Sequence, residues 1–599
     1  MIYFLRTIAL YLILFIGLSV AIQQGFQYYY ADDNDVAVGD PTSLTFAMPP
    51  QFQSQTRNTE TGLLLAGMTA QNRRDWGAAW QNFSLLNNQF DSNPQFALRS
   101  MTLALGNGDY KNVSMIADQI DKNYFASDSG EVIGDAFDFA RLFLILKDIK
   151  NKNYDDAKTR NDGLAQSPLS KFATPVIQIW IDAVNNPDSI TSNSEGLSPV
   201  QIYYKAIAAQ YAGKSDVANA LADKINPLAV TPKMIVNIAI LYNKIGSKDQ
   251  AIQLLGDVND RFEDNIMLVQ AVDEIKLGNK PLSADAYYPK SIEAALAMAF
   301  KDFGYAMYGE RAVDSGLLFA RLATYLDSNV ESAYFLIGQI LELQGQHEGA
   351  LDAYSNTKWN DENYNASVAR RAEILINNGR LSEAKTILTS NIQKAKQAGA
   401  ENAYFYYILG NILKENKEYQ KAVDAYDAAE ILGKHDGELP RELMPLYYSR
   451  AIAFDLMDSW DNALADLNKA MEIFPNNPLI LNYIGYAYAD RGIELEKAKE
   501  MIMQAVMAAP NDAYITDSMG WILYRLGEYN QAVQYLERAA SLDPYHMVIN
   551  DHLGDAYWKV GRKIEAHYMW QRALDYFEDG DAEQVRMIDE TKRKLKEGL

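Results

Sequence analysis

DSMGWILYRLGEYNQAVQYLERAASLDP, residues 517–544, is the stretch on which the reading of this chain turns. It reads as two antiparallel helices joined by a tight turn. Gly520 and Ala532 are small, so the first helix (helix A) and the second (helix B) can approach closely, while Leu536 and Tyr524 fill the remaining space. Gly527 falls in the turn, where a left-handed backbone costs glycine little. Pro544 closes the unit, because a helix interior rejects proline.

The same arrangement recurs outward from this stretch. Ala350, Ala384, Ala422, Ala463, Ala498, Ala532 and Ala566 are spaced by 34, 38, 41, 35, 34 and 34 residues. A small residue precedes each by 12 or 13 positions: Gly338, Ala372, Gly410, Ala451, Gly485, Gly520 and Gly554. Four residues after each alanine stands a large apolar one: Tyr354, Leu388, Tyr426, Leu467, Ile502, Leu536 and Trp570. Pro475, Pro510 and Pro544 end units. A period near 34 with these offsets is the tetratricopeptide pattern. One hairpin cannot bury its apolar face alone, so the units must stack. The expected fold class is an all-α tetratricopeptide-repeat superhelical solenoid with an N-terminal signal or anchor segment.

Residues 291–577 carry the clear units, and 59–290 carry blurred ones. TGLLLAGMTAQNRRDWGAAWQNF has Gly67, Ala79 and Phe83 at the repeat offsets, and NIAILYNKIGSKDQAIQLL (237–255) is another unit. The Ser/Asn-rich stretch 185–198 and the segment 276–290, with Pro281 and Pro289, are loop signals, and a soft boundary is expected at the second. GKHDGELPRE (433–442) lengthens one loop, and one extra residue in DRGIELEKA (490–498) lengthens one turn. Residues 578–599 are polar on most faces and are expected to form the solvating cap that repeat arrays need.

The totals narrow the function. At 599 residues the chain exceeds one ordinary domain core, which a solenoid resolves by adding neighbours. A net charge of −23 and a pI of about 4.7 oppose nucleic-acid binding, which needs a basic surface. With no cysteine there is no disulfide, thiolate metal site or cysteine nucleophile. No nucleotide loop, metal spacing or nucleophile motif is present; HEGAL at His347 lacks the second histidine of a zinc protease. The reading is a non-enzyme with no catalytic residues, no metal and no cofactor.

Residues 1–22, MIYFLRTIALYLILFIGLSVAI, place an apolar run after Arg6. Ser19-Val20-Ala21 suits signal cleavage, yet residues 2–22 nearly reach the length of a membrane span. Both alternatives stay open. Arg6 before the run and Asp32, Asp33 and Asp35 after it put the body outside the cytoplasm, secreted or anchored in an inner membrane. Residues 23–58 are expected to be an acidic, proline-containing linker.

In such a solenoid helix A lines the concave face. Counting from the repeat offsets puts Tyr448, Asn482, Tyr486, Tyr514, Asp517, Trp521, Tyr524, Arg525, Asp551, Asp555, Trp558 and Lys559 there. Aromatic groups interleaved with amides and charges suit an extended peptide, because rings supply area at low entropic cost and polar groups fix the peptide backbone. The alternative for Trp521, Tyr524 and Trp558 is packing between adjacent hairpins.

LNYIGYAYADRG (481–492), DSMGWILYRLGEYNQAVQYLERA (517–539) and INDHLGDAYWKVGRKIEAHYMWQRAL (549–574) resemble a family of exported tetratricopeptide-repeat proteins of Gram-negative bacteria, of the alphaproteobacterial type. The resemblance covers about 290–577. It extends to envelope lipoproteins that act as adaptors, holding substrates for carboxyl-terminal processing proteases, although this chain lacks their lipidation cysteine. It implies a non-catalytic periplasmic scaffold or adaptor that binds protein or peptide partners along its groove, presents substrates to an envelope protease or supports envelope assembly, and touches the membrane only through an uncleaved N-terminus. The alternatives are a self-assembling structural repeat protein and an enzyme accessory subunit.

Overall fold

The computed structural model describes residues 59–599 except 90–93, 126–136, 165–166, 245, 260–270, 274, 277–288, 360, 362, 435–438 and 578–581. The expected signal or anchor and the linker lie outside the described residues, as does most of the 276–290 loop. Every regular element among the described residues is helical. No helix among them is long and apolar enough to cross a membrane. The described residues form two compact units divided between Ser367 and Val368, so the soft boundary expected near 290 falls inside the first.

In the first unit the helices are α1 (Glu60–Asn72), α2 (Trp76–Gln89), α3 (Pro94–Gly106), α4 (Tyr110–Ile120), α5 (Asp138–Lys150), α6 (Tyr154–Asp162), α7 (Ala173–Asn185), α8 (Pro199–Tyr211), α9 (Ser215–Ala222), α10 (Pro232–Lys244), α11 (Lys248–Asn259), α12 (Ile292–Gly309), α13 (Val313–Leu326), α14 (Glu331–Leu343) and α15 (His347–Ser355). The 185–198 loop runs from the end of α7 to Ser198, whose hydroxyl accepts the Gln201 N–H while the Gln201 side chain returns to the Ser198 N–H. That reciprocal cap is why α8 starts where it does.

Stacking in this unit is not confined to sequence neighbours. Hairpin α12–α13 packs on α3, α5 and α7 as well as on α14. Phe303 and Phe319 meet Phe172 edge-on at 5.3 and 5.9 Å, and Tyr325 lies 4.7 Å from Phe143. Tyr110 Oη donates to the Arg321 carbonyl at 3.1 Å and lies 2.6 Å from Thr324 Oγ1, and Arg321 Nε donates to the Gly106 carbonyl at 3.2 Å. One continuous apolar core therefore runs from Ala97 to Ala333. The blurred repeats have a physical cause here: a helix buried against three partners needs apolar residues off the two-helix stripe.

The second unit is the regular one. Its helices are α16 (Tyr364–Asn377, which begins just before the division), α17 (Leu381–Ala398), α18 (Ala403–Glu415), α19 (Tyr419–Gly433), α20 (Leu446–Asp455), α21 (Trp460–Ile473), α22 (Pro478–Arg491), α23 (Leu495–Ala508), α24 (Ala513–Arg525), α25 (Tyr529–Leu542), α26 (Met547–Lys559), α27 (Lys563–Asp575) and the single closing helix α28 (Ala582–Glu597). Side-chain caps start several of them: Asp512 accepts the Ile515 N–H ahead of α24, and Asn477 accepts two N–H groups ahead of α22, with Pro478 at the first helical position.

Within each hairpin the small residue and the large residue meet. A Cβ added at Gly520 would stand 2.4 Å from Leu536 Cγ, and one at Gly554 would stand 2.5 Å from the Trp570 ring. Leu536 and Trp570 are completely buried, and burial of each such side chain contributes about 1.5–3 kcal/mol. The turn residue is left-handed, at φ +81° for Gly527 but also at φ 62° for Lys417 and 57° for Asp458. The extra residue of DRGIELEKA is absorbed by two left-handed positions, Gly492 and Glu494.

Candidate partner-binding face

The first helices of successive hairpins lie side by side, α18 against α20, α22 against α24 and α24 against α26. A helix in such a row has one edge toward its neighbour and one face toward the groove, and the repeat offsets do not separate the two. The structure divides the twelve candidate residues accordingly.

Asp517, Asp551 and Asp555 belong to the seams, which corrects their reading as groove residues. They are 5%, 0% and 3% exposed. Asp517 Oδ2 accepts His552 Nδ1 across the α24–α26 seam at 2.9 Å. Asp551 accepts Thr591 Oγ1 at 2.8 Å and Lys594 Nζ at 2.6 Å, and Asp555 accepts Lys594 Nζ and Trp570 Nε1, both at 2.8 Å. A buried carboxylate must have such partners, so these three are committed within the chain. Tyr448 is also at a seam, edge-on to Tyr483 at 5.8 Å. Burial raises its phenol above the ordinary range.

Trp558 is half-covered by the chain's own end. Its Nε1 donates to the Leu599 carbonyl at 3.1 Å, and Gly598, at φ +81°, lies so close that a Cβ there would come within 2.4 Å of the indole. Tyr514 is exposed at the start of α24, edge-on to His546 at 5.0 Å, and Lys559 is exposed at the end of α26.

Asn482, Tyr486, Trp521, Tyr524 and Arg525 remain, all half-buried on α22 and α24. Trp521 is stacked with Tyr524 (5.0 Å, 8°) and with His552 (4.1 Å, 11°), and the Arg525 guanidinium lies 5.8 Å from its ring. Arg525 Nη1 donates to the Asp490 carbonyl at 2.9 Å, which ties α24 to the end of α22. Burial, followed by the charge of Asp555, pushes the Tyr524 phenol up. Trp521 Nε1 and Asn482 Oδ1 have no hydrogen-bond partner. Both atoms are themselves buried, so what this face offers a partner is the half-buried rings of Tyr486, Trp521 and Tyr524 with the Arg525 guanidinium beside them.

Sequence reasoning missed parts of this face and of the seam behind it. Tyr407 stands three residues before Gly410, the offset that selected Tyr448, Asn482, Asp517 and Asp551, and it lies 5.9 Å from Tyr404; applying the offset to that unit would have found it. A pocket lined by Ile376, Leu381, Asn411, Lys414, Glu415 and Ser449 opens further along the same helix. His552 and Lys594 carried no signal, since their importance comes from carboxylates 35 to 43 residues away.

Electrostatics concentrates beneath α28. Burial, together with the neighbouring Asp551 charge, raises the Asp555 carboxyl to about 6 against the pull of Lys594. Burial alone would push the His552 imidazole down, but Asp517, with Asp551 and Asp555 beyond it, holds it above its ordinary value. Lys594 is likewise held up by Asp551 and Asp555 against its burial.

Comparison with known proteins gives the same repeat. Residues 370–436 and 515–546 match family models described as tetratricopeptide repeat. Over 227 residues the chain is 30% identical to a TPR repeat-containing protein of Pseudomonas aeruginosa, a match covering 38% of this chain and 36% of that protein. Over 129 residues it is 29% identical to anaphase-promoting complex subunit 6 of Arabidopsis thaliana, covering 20% and 23%. The chain thus spans little more than a third of the length of the first relative and less of the second. Among solved structures, a tetratricopeptide repeat protein from Parabacteroides merdae is 13% identical with a TM-score of 0.35, covering 44% of this chain and 98% of that one. The APC/C hetero-tetramer Cut9–Hcn1 is 14% identical with a TM-score of 0.36, covering 89% and 96%. Residues 370–436 and 515–546 are therefore tetratricopeptide repeats, and the all-helical array of Val368–Leu599 that contains them is a tetratricopeptide-repeat solenoid.

Proposed function

We propose that this protein is a non-catalytic scaffold that holds an extended segment of a protein partner against α22 and α24. The observation that carries the reading is the half-buried stack of Trp521 on Tyr524, with the Arg525 guanidinium 5.8 Å from the indole ring. The stacked rings supply contact area at low entropic cost, and the Arg525 guanidinium adds a positive charge at their edge. Panning a displayed random-peptide library on the full chain selects ligands by affinity alone. Selected peptides should lose about 1–2 kcal/mol of affinity to Trp521→Ala, with a smaller loss for Asn482→Ala, while melting temperature changes little. Unchanged peptide affinity with a strongly lowered melting temperature would show that Trp521 is core, and failure to enrich any peptide would count against the groove.

The finer form of this reading is an envelope adaptor that presents substrates to a protease or supports envelope assembly. It rests on the apolar run after Arg6 and on the likeness of 481–574 to exported repeat proteins. A reporter fused at Leu599 that fluoresces or reacts only after export is expected to be active; activity confined to a cytoplasmic reporter would remove the envelope from the proposal.

A further inference from the structure

Helix α28 takes the place where the first helix of a further hairpin would stand, packed on α26 and α27. Beneath it lies a connected set of ionisable side chains, Asp517, Asp551, His552, Asp555 and Lys594, none more than 6% exposed. Lys594 bridges Asp551 and Asp555, and His552 pairs with Asp517. The set holds three carboxylates against two groups able to carry positive charge. With every group charged it keeps one excess negative charge, and loss of the imidazolium proton makes the excess two. A net charge buried without a counterion is costly, and the helix that keeps water from this one is α28.

We propose that α28 is a proton-controlled closing helix, held down when the buried cluster carries its extra protons and loosened as the cluster loses them. Every element packed on the cluster contributes a group. Asp517 and Tyr524 face it from α24, His552, Asp551 and Asp555 from α26, the Trp570 N–H from α27, and Thr591, Lys594 and Arg593 from α28, with Glu590 beside Lys594. The sign follows from the directions of the shifts. A carboxyl raised from 3.8 to about 6 binds its proton more tightly when α28 is down, so the closed state loses stability as pH rises through about 6. An imidazole held above 6.5 adds stability that is fully present below 6.5 and is lost as pH rises through its folded value. Lys594 keeps its charge over this window, and its pull on the Asp555 carboxylate opposes the trend but is outweighed by burial and the Asp551 charge. Once α28 lifts, water reaches Asp551 and Asp555, and the carboxyl returns toward its ordinary value.

Loosening has a local reporter. The Trp558 indole is covered by Gly598 and bonded to the Leu599 carbonyl, so release of α28 bares a tryptophan on α26.

Amide hydrogen exchange of the full chain at pH 5.5 and pH 8 tests this, with each rate corrected for intrinsic pH dependence and α28 normalised to α24. Protection of α28 is expected to fall about tenfold between the two, with a parallel shift in Trp558 emission. Asp555→Asn, which mimics the protonated carboxyl, should reduce the fall to less than about threefold. His552→Gln serves as the second variant should the first not fold. Protection of α28 that is unchanged or greater at pH 8 overturns the proposal, and so does the full fall persisting in both variants.

Discussion

Replacing Trp570 by alanine is expected to cost about 3–5 kcal/mol in the last hairpin. Trp570 is completely buried, its ring fills the space that Gly554 leaves open, and its N–H donates to Asp555. Alanine would leave a cavity at that point and remove one of the partners of a carboxylate that is itself inside the protein. Coupling in a repeat array runs chiefly between neighbours, so hydrogen exchange should show α26, α27 and α28 losing protection first, then α24 and α25, with α18 and α19 little changed. A stability change below about 1 kcal/mol, or an equal loss along the whole second unit, would contradict this.

Arg450→Ala is expected to cost a similar amount, about 3–5 kcal/mol, for an electrostatic reason. The Arg450 guanidinium is 6% exposed on α20. Its Nε donates to Asp466 Oδ2 at 2.6 Å and its Nη1 reaches Asp427 at 2.5 Å and Glu430 at 2.7 Å. Removing it leaves Asp466, 3% exposed, as a buried charge without its main counterion. Arg450→Met combined with Asp466→Leu should therefore recover most of the loss in chemical denaturation, since neither charge then remains. A double variant no more stable than Arg450→Ala would show that shape, and not charge, sets the cost. The pH response here is opposite to that beneath α28. Burial would raise the Glu430 carboxyl, but Lys434 and Arg450 hold it at about 2. Its contribution is complete above about 4.5 and is lost as pH falls toward 2.

The hairpins of 368–577 were legible because their packing is local. Gly520 with Leu536 and Gly554 with Trp570 are contacts 16 residues apart within one repeat, so the period alone reveals them. The face of helix A was legible only in outline. Offsets place Asp517 and Trp521 on the same side of α24, four residues apart, and both meet His552, yet Asp517 is buried in a hydrogen bond to it while Trp521, stacked on it and on Tyr524, stays half-open. Discriminating them needs the position of α26, which a single repeat does not encode. The cluster under α28 was hidden for the same reason, with Lys594 reading as one more cation in a polar tail. In the first unit the limit is larger: no offset within a 34-residue frame connects Tyr110 to Thr324 across 214 positions.

That last span has a kinetic meaning. Helices α3, α5 and α7 are synthesised first, but the aromatic hairpin that covers Phe143 and Phe172 follows well over a hundred residues later. At roughly 5–20 residues per second, the 214 positions between Tyr110 and Thr324 take on the order of 10–40 seconds to make. For that interval the nascent N-terminal helices present an apolar surface with no occupant. Loop closure across such a length adds only slowly to the entropic cost, so the delay is one of supply and not of thermodynamics. A growing chain of this protein is therefore a client for whatever shields unfolded surfaces in its compartment, and a ribosome stalled before residue 313 should yield a fragment far more prone to aggregate than one stalled after 343.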